Sequence, residues 1–525
     1  MLTVIFRHRN SYTLPSIVSY YCIALEIMPP LSENKNLSSA SDCLLILLIT
    51  IAVIAAYLAV PSARGTDQFW YIADTETIAE TGRNHSNLTM PGVVLRENTG
   101  SPPTWFYHNG PLLYLNAFIA SLTKVETYTI WKFNNFLFFL CSALLVSLIV
   151  GTATSRQFGF YAFALYSLSP LNIWLAVNAL QEIFYALLFA VQLYITLRHR
   201  DSVIGFLVLL ATLVVGAYSH PFFKLMTLSI AVIYLLDKRY LAGAALTLAL
   251  AGVVLTDTLI FPSSFPPDIS TLIAYSVPGK SNSLWHQSDY NLTVTPALLL
   301  QKLTTALTIQ FTDLSAPILS LLTYLSVPAF LLLVFRRSHI STTLLTLCFI
   351  AFSLYAGIVI LLQFQVRYQQ IIAPAAVILV TIALFAFFKN RAISIVVVLA
   401  VAFFAIDLKL ISRARTDSAL FNQSSNKFAE FIERFPTDDR VAFINERSLG
   451  TYLHLVSAAR PRQTMVIGTG WLSDDNYHRA IELFEPNVLI YSESERNKSQ
   501  FSDNLTEISD FHKVGKLYYE IPKTQ

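Results

Sequence analysis

The sequence predicts a mainly α-helical membrane protein, a bundle of about eleven transmembrane helices followed by a small extracytoplasmic α/β domain. Three observations support this fold class. Only 13% of the 525 residues are charged, against about 25% in soluble domains, and the mean hydropathy is +0.54. Apolar windows of transmembrane length recur along the chain. The composition becomes polar only after residue 411.

The same composition excludes several classes of protein. A soluble chain of this length would divide into domains with charged surfaces, and too few charges are present to cover them. Disorder requires low hydrophobicity, whereas 54% of the residues are hydrophobic. The 36 Lys and Arg residues against 33 Asp and Glu give a net charge of +3, which provides no general attraction to nucleic acid.

Residues 1–42 precede the first apolar window and are predicted to form a cytoplasmic N-terminal segment. Arg7 and Arg9 lead into a mildly apolar stretch, 14–28, which is too short to span a membrane. It lacks a clean small-residue cleavage site for a signal peptide. Met28 is an alternative start of translation, in which case part of this segment is untranslated.

Residues 43–411 are predicted to form the transmembrane module. Apolar windows predict spans at 44–60, 133–150, 158–177, 183–197, 203–218, 222–236, 241–260, 314–335, 344–362, 371–388 and 393–410. Alternate short loops carry Lys and Arg, which places those loops and the N-terminus in the cytoplasm. Two long segments, 61–129 and 261–313, then lie outside together with the C-terminal tail. The compact loops favour a prokaryotic plasma membrane.

Residues 412–525 are predicted to fold as a small extracytoplasmic α/β domain. Strands are predicted at 440–444, 487–491 and 516–521, and helices at 449–459 and 476–484, an alternation typical of this class. The sequence contains no glycine-rich phosphate loop and no Cys motif for a metal.

The first outer loop contains most of the polar groups with chemical potential. Asp67 follows the first span directly and is therefore expected at the membrane surface. Tyr71 and Asp74 follow at spacings of four and three, so one face of an interfacial helix can carry all three residues. Glu76 lies two residues beyond Asp74 and off that face. Asp74 and Glu76 are weak candidates for binding Mg²⁺ or Mn²⁺ through oxygen, and no metal site is assigned.

Two cations are expected at outer ends of helices, Lys224 and Arg367. Arg367 is the more informative, because the outer side of a membrane protein usually carries few cations. The alternative interpretation is structural, since charges at helix ends are solvated and often extend only to the membrane surface.

At these positions the sequence resembles the GT-C class of membrane glycosyltransferases, in particular the protein O-mannosyltransferase and aminoarabinose transferase families. Residues 67–73, beginning with Asp67, are similar to a family motif that starts Asp-Glu. Residues 108–114, His-Asn-Gly-Pro-Leu-Leu-Tyr, resemble its His/Lys-Pro-Pro-Leu-aromatic segment. Arg367-Tyr368 followed by Pro374 resembles its Arg-Tyr…Pro pattern, and a soluble domain follows the last span in both.

The chain departs from the family at two points. Gln68 replaces the second acid, which disfavours a paired-carboxylate metal site there. Asn109-Gly110 replaces a basic-Pro or His-Pro step, although His108 is retained.

The resemblance implies a GT-C-like fold and the inverting transfer of a sugar from a polyprenyl-phosphate donor. The acceptor would be a glycolipid, a glycan or a protein on the outer face; no cofactor is assigned, and a divalent metal, Mg²⁺ or Mn²⁺, stays open as an alternative. In this interpretation Asp67 is the base that takes the proton of the acceptor. The other roles follow from the same resemblance: Arg367, Tyr368 and Lys224 hold the donor phosphate, and His108, Tyr71, Asp74 and Glu76 contact the sugar or the acceptor.

Two other functions are open alternatives. A lipid or sugar transporter or flippase would carry ionisable groups near the membrane centre and broken helices in matching halves. The sequence indicates neither of these two features. A non-catalytic relative whose C-terminal domain binds a partner is the other alternative.

Overall fold

The computed structural model describes most of the chain. The described residues are 38–59, 66–81, 88–89, 110–260, 300, 321–335, 341–361, 366–388, 391–445, 455, 462–468, 474–493, 495, 505–511 and 515–522.

The transmembrane module is a helical bundle. Its helices in chain order are α1 Ser38–Ala59, α2 Thr66–Thr81, α3 Pro111–Thr123, α4 Thr127–Ala153, α5 Arg156–Ser167, α6 Pro170–Ala176, α7 Glu182–Arg198, α8 Val203–Ser219, α9 Pro221–Leu236, α10 Tyr240–Ile260, α11 Leu321–Phe335, α12 Thr342–Leu361, a 3₁₀ helix Val366–Ile372, α13 Ala373–Phe388 and α14 Arg391–Ile432.

The apolar helices confirm that the chain is an integral membrane protein. Among the described residues, four helices are long and apolar enough to cross a membrane: α1, α4, α14 and α13 with the end of the 3₁₀ helix before it. Six shorter apolar helices accompany them. Helix α7 lies at the centre of the bundle, where it packs against α4, α8, α13 and the 3₁₀ helix.

One expectation about the helices was wrong, and one segment holds a helix that was not predicted. The predicted span 158–177 is broken, because α5 ends at Ser167 and α6 begins at Pro170. Proline lacks the N–H that helix continuation needs, and it holds the preceding Ser169 in an extended conformation, φ −64° and ψ 121°. The predicted loop 61–129 also contains a further helix, α3, and the start of α4 at Thr127.

Helix α14 connects the bundle to the C-terminal sheet. It runs without interruption through the predicted boundary at 411–412, and its 42 residues make it about 63 Å long. This length exceeds a hydrocarbon core of about 30 Å. Near its end Phe428 packs against Phe443 and Phe511 of the sheet, with ring centroids 5.5 and 5.9 Å away.

The C-terminal part forms a six-stranded mixed sheet, which confirms the predicted α/β character. The strands and one further helix are β1 Leu88–Thr89, β2 Val441–Asn445, β3 Thr464–Gly468, α15 Asp474–Phe484, β4 Val488–Ser492, β5 Thr506–Phe511 and β6 Gly515–Glu520. Helix α15 covers the face of the sheet opposite to the face that contacts α14. The order is β1-β3-β2-β4-β6-β5, parallel from β1 to β4 and antiparallel for β6 and β5. The predicted helix 449–459 lies outside the described residues except for residue 455.

Strand β1 joins the segment between α2 and α3 to this sheet. It pairs in parallel with β3, with Leu88 opposite Thr464 and Thr89 opposite Met465. Since β1 belongs to the loop between α1 and α3, that loop and the C-terminal sheet lie on the same side of the membrane.

Candidate functional site

A buried polar turn between α6 and α7, residues 177–181, is the structural centre of the candidate site. Side chains of helix α4 hold this polar turn by donating hydrogen bonds to the backbone carbonyl groups of the turn. Asn135 Nδ2 donates to the carbonyl oxygens of Asn178, at 2.5 Å, and Leu180, at 2.8 Å. The Tyr128 hydroxyl donates to the carbonyl of Val177 at 3.2 Å. These donors satisfy backbone acceptors that burial removes from water, and they fix the shape of the turn.

The first turn of α2 is attached to the polar turn by Gln68. Gln68 Nε2 donates to Asn178 Oδ1 at 3.1 Å, and its Oε1 accepts from the Ala179 N–H at 3.4 Å. Asp67, the predicted base, immediately precedes Gln68 in this helical turn. Its backbone therefore lies beside the polar turn, whereas its side chain is outside the described part of the chain.

The rest of α2 is anchored on α4, and the helix expected here is confirmed. The Tyr71 ring stacks on Trp131, with centroids 5.4 Å apart and planes inclined by 22°. Trp131 Nε1 donates to Thr75 Oγ1 at 2.9 Å, and that hydroxyl donates to the Tyr71 carbonyl at 2.6 Å. Tyr71 is therefore buried as part of the α2–α4 interface.

The two acidic residues further along α2 have different surroundings. Asp74 is buried and Glu76 is half-buried. Being two residues apart, they do not share a helical face. Across the described residues there is no cluster of three His, Cys, Asp or Glu side chains that could hold a metal ion.

The start of α3 lies against the same polar turn. Gly110 precedes the helix and is buried, and a Cβ atom in its place would come within 3.3 Å of Gln181 Oε1. Pro111 then occupies the first helical position, where its missing N–H has no effect on the helix. His108 of the same motif lies outside the described residues.

The junction of α8 and α9 approaches the site through Tyr185 of α7. The Tyr185 hydroxyl donates to Gln181 Oε1 at 2.5 Å and lies 3.1 Å from the carbonyl oxygen of Ser219. The His220 ring is 5.3 Å from the Tyr185 ring. His220 Nδ1 accepts from the Phe222 N–H at 3.2 Å and caps α9.

The capping bond requires a neutral histidine. Protonation of Nδ1 would remove the lone pair that accepts the Phe222 N–H, and a cation is disfavoured at a helix N-terminus. Burial lowers the pKa of the His220 imidazole to about 4, so the cap is intact at neutral pH.

Lys224 lies in the first turn of α9, one turn after the cap, and is half-buried. A cation is disfavoured by the helix dipole in this position, whereas an anion bound nearby is favoured by it. Helix α9 is held against α7 by ring contacts, Phe222 with Phe189 at 5.8 Å and Phe223 with Tyr185 at 6.1 Å.

The 3₁₀ helix carries the remaining predicted phosphate ligands. Arg367 and Tyr368 are in its first turn, and their side chains are outside the described part of the structure. The helix packs against α7, α12 and α13. Gln370 Nε2 donates to the Tyr166 hydroxyl at 3.2 Å, which fixes the helix to α5.

Sequence reasoning missed the residues that connect these elements, Asn178 and Gln181, and also Lys132. Lys132 is buried in α4, its ammonium group donates to the Tyr57 carbonyl in the last turn of α1, and it lies 4.2 Å from the Tyr57 ring centroid. The signal for Lys132 was present, because a Lys beside a long apolar run requires a partner. No comparable signal marks the amides, whose partners are up to 110 residues away.

Comparison with known proteins identifies the fold. No protein-family model matches the chain, and none of the curated proteins matches it. Among solved structures, apo ArnT from Cupriavidus metallidurans, an aminoarabinose transferase, matches with a TM-score of 0.55 at 10% identity, over 91% of this chain and 98% of ArnT. The same enzyme bound to undecaprenyl phosphate gives 0.54 at 12% identity, with the same coverage.

A second solved structure is similar as well. The Archaeoglobus fulgidus oligosaccharyltransferase, solved with Zn and sulfate, matches with a TM-score of 0.52 at 13% identity, over 85% of this chain and 68% of that protein. Both proteins are GT-C glycosyltransferases. The resemblance noted in the sequence is thus confirmed at the level of the fold, and this chain has the GT-C fold.

Proposed function

We propose that the chain is a glycosyltransferase that moves a sugar from a polyprenyl-phosphate donor to an acceptor on the outer face of the membrane. The main support is the agreement between the fold and the motif positions. The fold is similar, over 91% of the chain, to that of ArnT bound to undecaprenyl phosphate. The three elements that carry Asp67, Lys224 and Arg367 all contact α7 or the polar turn before it.

The lipid-facing helices suit such a donor. The polyprenyl tail lies among apolar helices while its phosphate stays at the membrane surface. The guanidinium of Arg367 and the ammonium of Lys224 bind the phosphate oxygens, and the Tyr368 hydroxyl donates to the same group. His108 and Glu76 contact the sugar or the acceptor, whereas Tyr71 and Asp74 are buried within the bundle and support this side of the site from α2.

The reaction is a single displacement with inversion. The acceptor hydroxyl or amine attacks the anomeric carbon, the bond from that carbon to the phosphate oxygen breaks, and the electron pair leaves with the phosphate. Asp67 takes the proton of the acceptor, which contributes on the order of 10²–10⁴ in rate. The cations stabilise the charge that develops on the departing phosphate.

The test is a transfer assay with protein in lipid nanodiscs, a labelled polyprenyl-phosphate sugar and a membrane extract as the source of acceptor. Asp67→Asn is expected to lower kcat by about 10²–10⁴. Glu80→Gln, on the exposed side of the same helix, is the matched control and should leave kcat unchanged. Arg367→Ala should mainly weaken binding of undecaprenyl phosphate.

Two outcomes contradict the proposal. Full activity of Asp67→Asn would remove Asp67 as the base. Absence of transfer with every donor, together with sugar- or lipid-dependent flux into liposomes, would identify a transporter instead.

A further inference from the structure

We propose that Gln68 is a positioning residue, which holds the first turn of α2, and with it Asp67, against the polar turn. The inference rests on the proposed function, because it assigns Gln68 a role relative to the proposed base. Gln68 itself is 3% exposed and contacts the turn rather than solvent.

A chain of three hydrogen bonds carries the inference. Asn178 Nδ2 donates to the Trp174 carbonyl, Gln68 Nε2 donates to Asn178 Oδ1, and Gln68 Oε1 accepts from the Ala179 N–H. The two ends are backbone groups whose polarity cannot change: the Trp174 carbonyl only accepts, and the Ala179 N–H only donates. The orientation of both amides between them is therefore fixed.

This arrangement requires an amide at position 68. The side chain has to donate to Asn178 and to accept from Ala179 at the same time. An ionised Glu only accepts, so one of its oxygens would face Asn178 Oδ1 without a proton between them. Since the site is buried, water is not available to replace the lost donor. The replacement of the family's second acid by Gln68 thus matches the groups that position 68 faces in this chain.

The location of the bond explains its effect on the site. Adjacent residues on a helix point about 100° apart. Gln68 can therefore fix the rotation and the axial position of the first turn of α2 while its side chain leaves the space beside position 67 free. A displacement of about 1 Å at a reacting group lowers rates by about 10²-fold, so loss of this attachment is expected to affect turnover.

The experiment compares Gln68→Met, which keeps the length of the side chain but not its hydrogen bonds, with Gln68→Glu. Asn134→Leu is the matched control, since it removes a buried amide–amide bond of the same kind, Asn134 Nδ2 to Asn116 Oδ1 at 2.6 Å, between α4 and α3. Hydrogen–deuterium exchange of residues 66–70 and steady-state transfer kinetics are measured for all proteins in nanodiscs.

We expect both Gln68 variants to accelerate exchange in residues 66–70 by about fivefold or more. Both should lower kcat by roughly 10²-fold while the KM for the donor stays within about twofold, because the phosphate ligands are on other elements. Asn134→Leu should change neither the exchange rate of residues 66–70 nor kcat.

The outcomes separate this inference from the proposed function. Unchanged exchange in both Gln68 variants overturns the attachment, whatever the activity. Faster exchange with unchanged kcat overturns the positioning role. A wild-type protein without transfer activity contradicts the proposed function, and the exchange data still decide whether Gln68 holds α2 to the turn.

Discussion

The hydrogen bond between Trp131 and Thr75 gives a sharp test of how α2 is held. Both residues are fully buried, and the Trp131 N–H donates to Thr75 Oγ1 at 2.9 Å. Thr75→Val keeps the shape of the side chain and removes the acceptor. The Tyr71 carbonyl also loses the Thr75 hydroxyl, but it retains its place in the helix ladder. The main consequence is therefore an indole N–H left without a partner.

The expected magnitude follows from that burial. Interhelical hydrogen bonds in membranes contribute about 0.6 kcal/mol on average, whereas leaving a buried donor unpaired costs about 1–3 kcal/mol. We expect Thr75→Val to lower the free energy of unfolding by about 1–2 kcal/mol. In a Trp131→Phe background no N–H remains to be stranded, so the same change should then cost close to zero.

The assay is a double-mutant cycle of Thr75→Val and Trp131→Phe, measured by SDS titration in mixed micelles. The coupling free energy should be about 1–2 kcal/mol. If Thr75→Val costs the same in both backgrounds, the bond does not hold α2 and the reasoning is refuted.

Three further results are expected. Asp407→Leu should raise the free energy of unfolding by about 2 kcal/mol, because this carboxyl is buried in α14 with neither oxygen hydrogen-bonded to any residue of the described chain, and a loss of stability would contradict this. Acidification from pH 6.5 to about 4 should destabilise the wild type but not His220→Asn in thermal melts, because the unfolded state binds the proton first when the folded pKa lies below 6.5. Leu88→Cys with Thr464→Cys should form a disulfide on mild oxidation, whereas Leu88→Cys with Met465→Cys should not, because only the first pair is in register.

The helices were predictable wherever one physical signal dominated. Long apolar runs predicted α7 to α10 within one or two residues of their bounds. The reason is that backbone N–H and C=O groups in lipid must be hydrogen-bonded within the segment, which a helix achieves. The strands β2, β4 and β6 were found from short apolar runs, and α2 from its spacing of three and four. Strands β3 and β5 were missed, because flanking polar residues dilute their apolar pattern.

The candidate site was only partly predictable. Acidic and basic residues beside predicted spans stand out individually, because charged side chains in an apolar membrane protein are costly and often functional. The groups that organise them are neutral amides. Asn135 and Asn178 are 43 residues apart, and Gln68 and Asn178 are 110 apart. Periodicity describes neighbours along one helix, so it contains no information about such pairs.

The helical path before α7 is interrupted twice, at Pro170 and at the polar turn. Hydropathy reads residues 158–177 as one span, because the segment is apolar on both sides of the proline. Helix α6 ends separately at Ala176, directly before the polar turn, and the carbonyls of Asn178 and Leu180 in that turn accept from Asn135. Buried carbonyls require donors, and Asn135 supplies them. A helix continued through residues 177–181 would leave Gln68 without Asn178 and Ala179 as partners, so the attachment of α2 depends on the turn that already separates the predicted spans 158–177 and 183–197, and not on the break at Pro170.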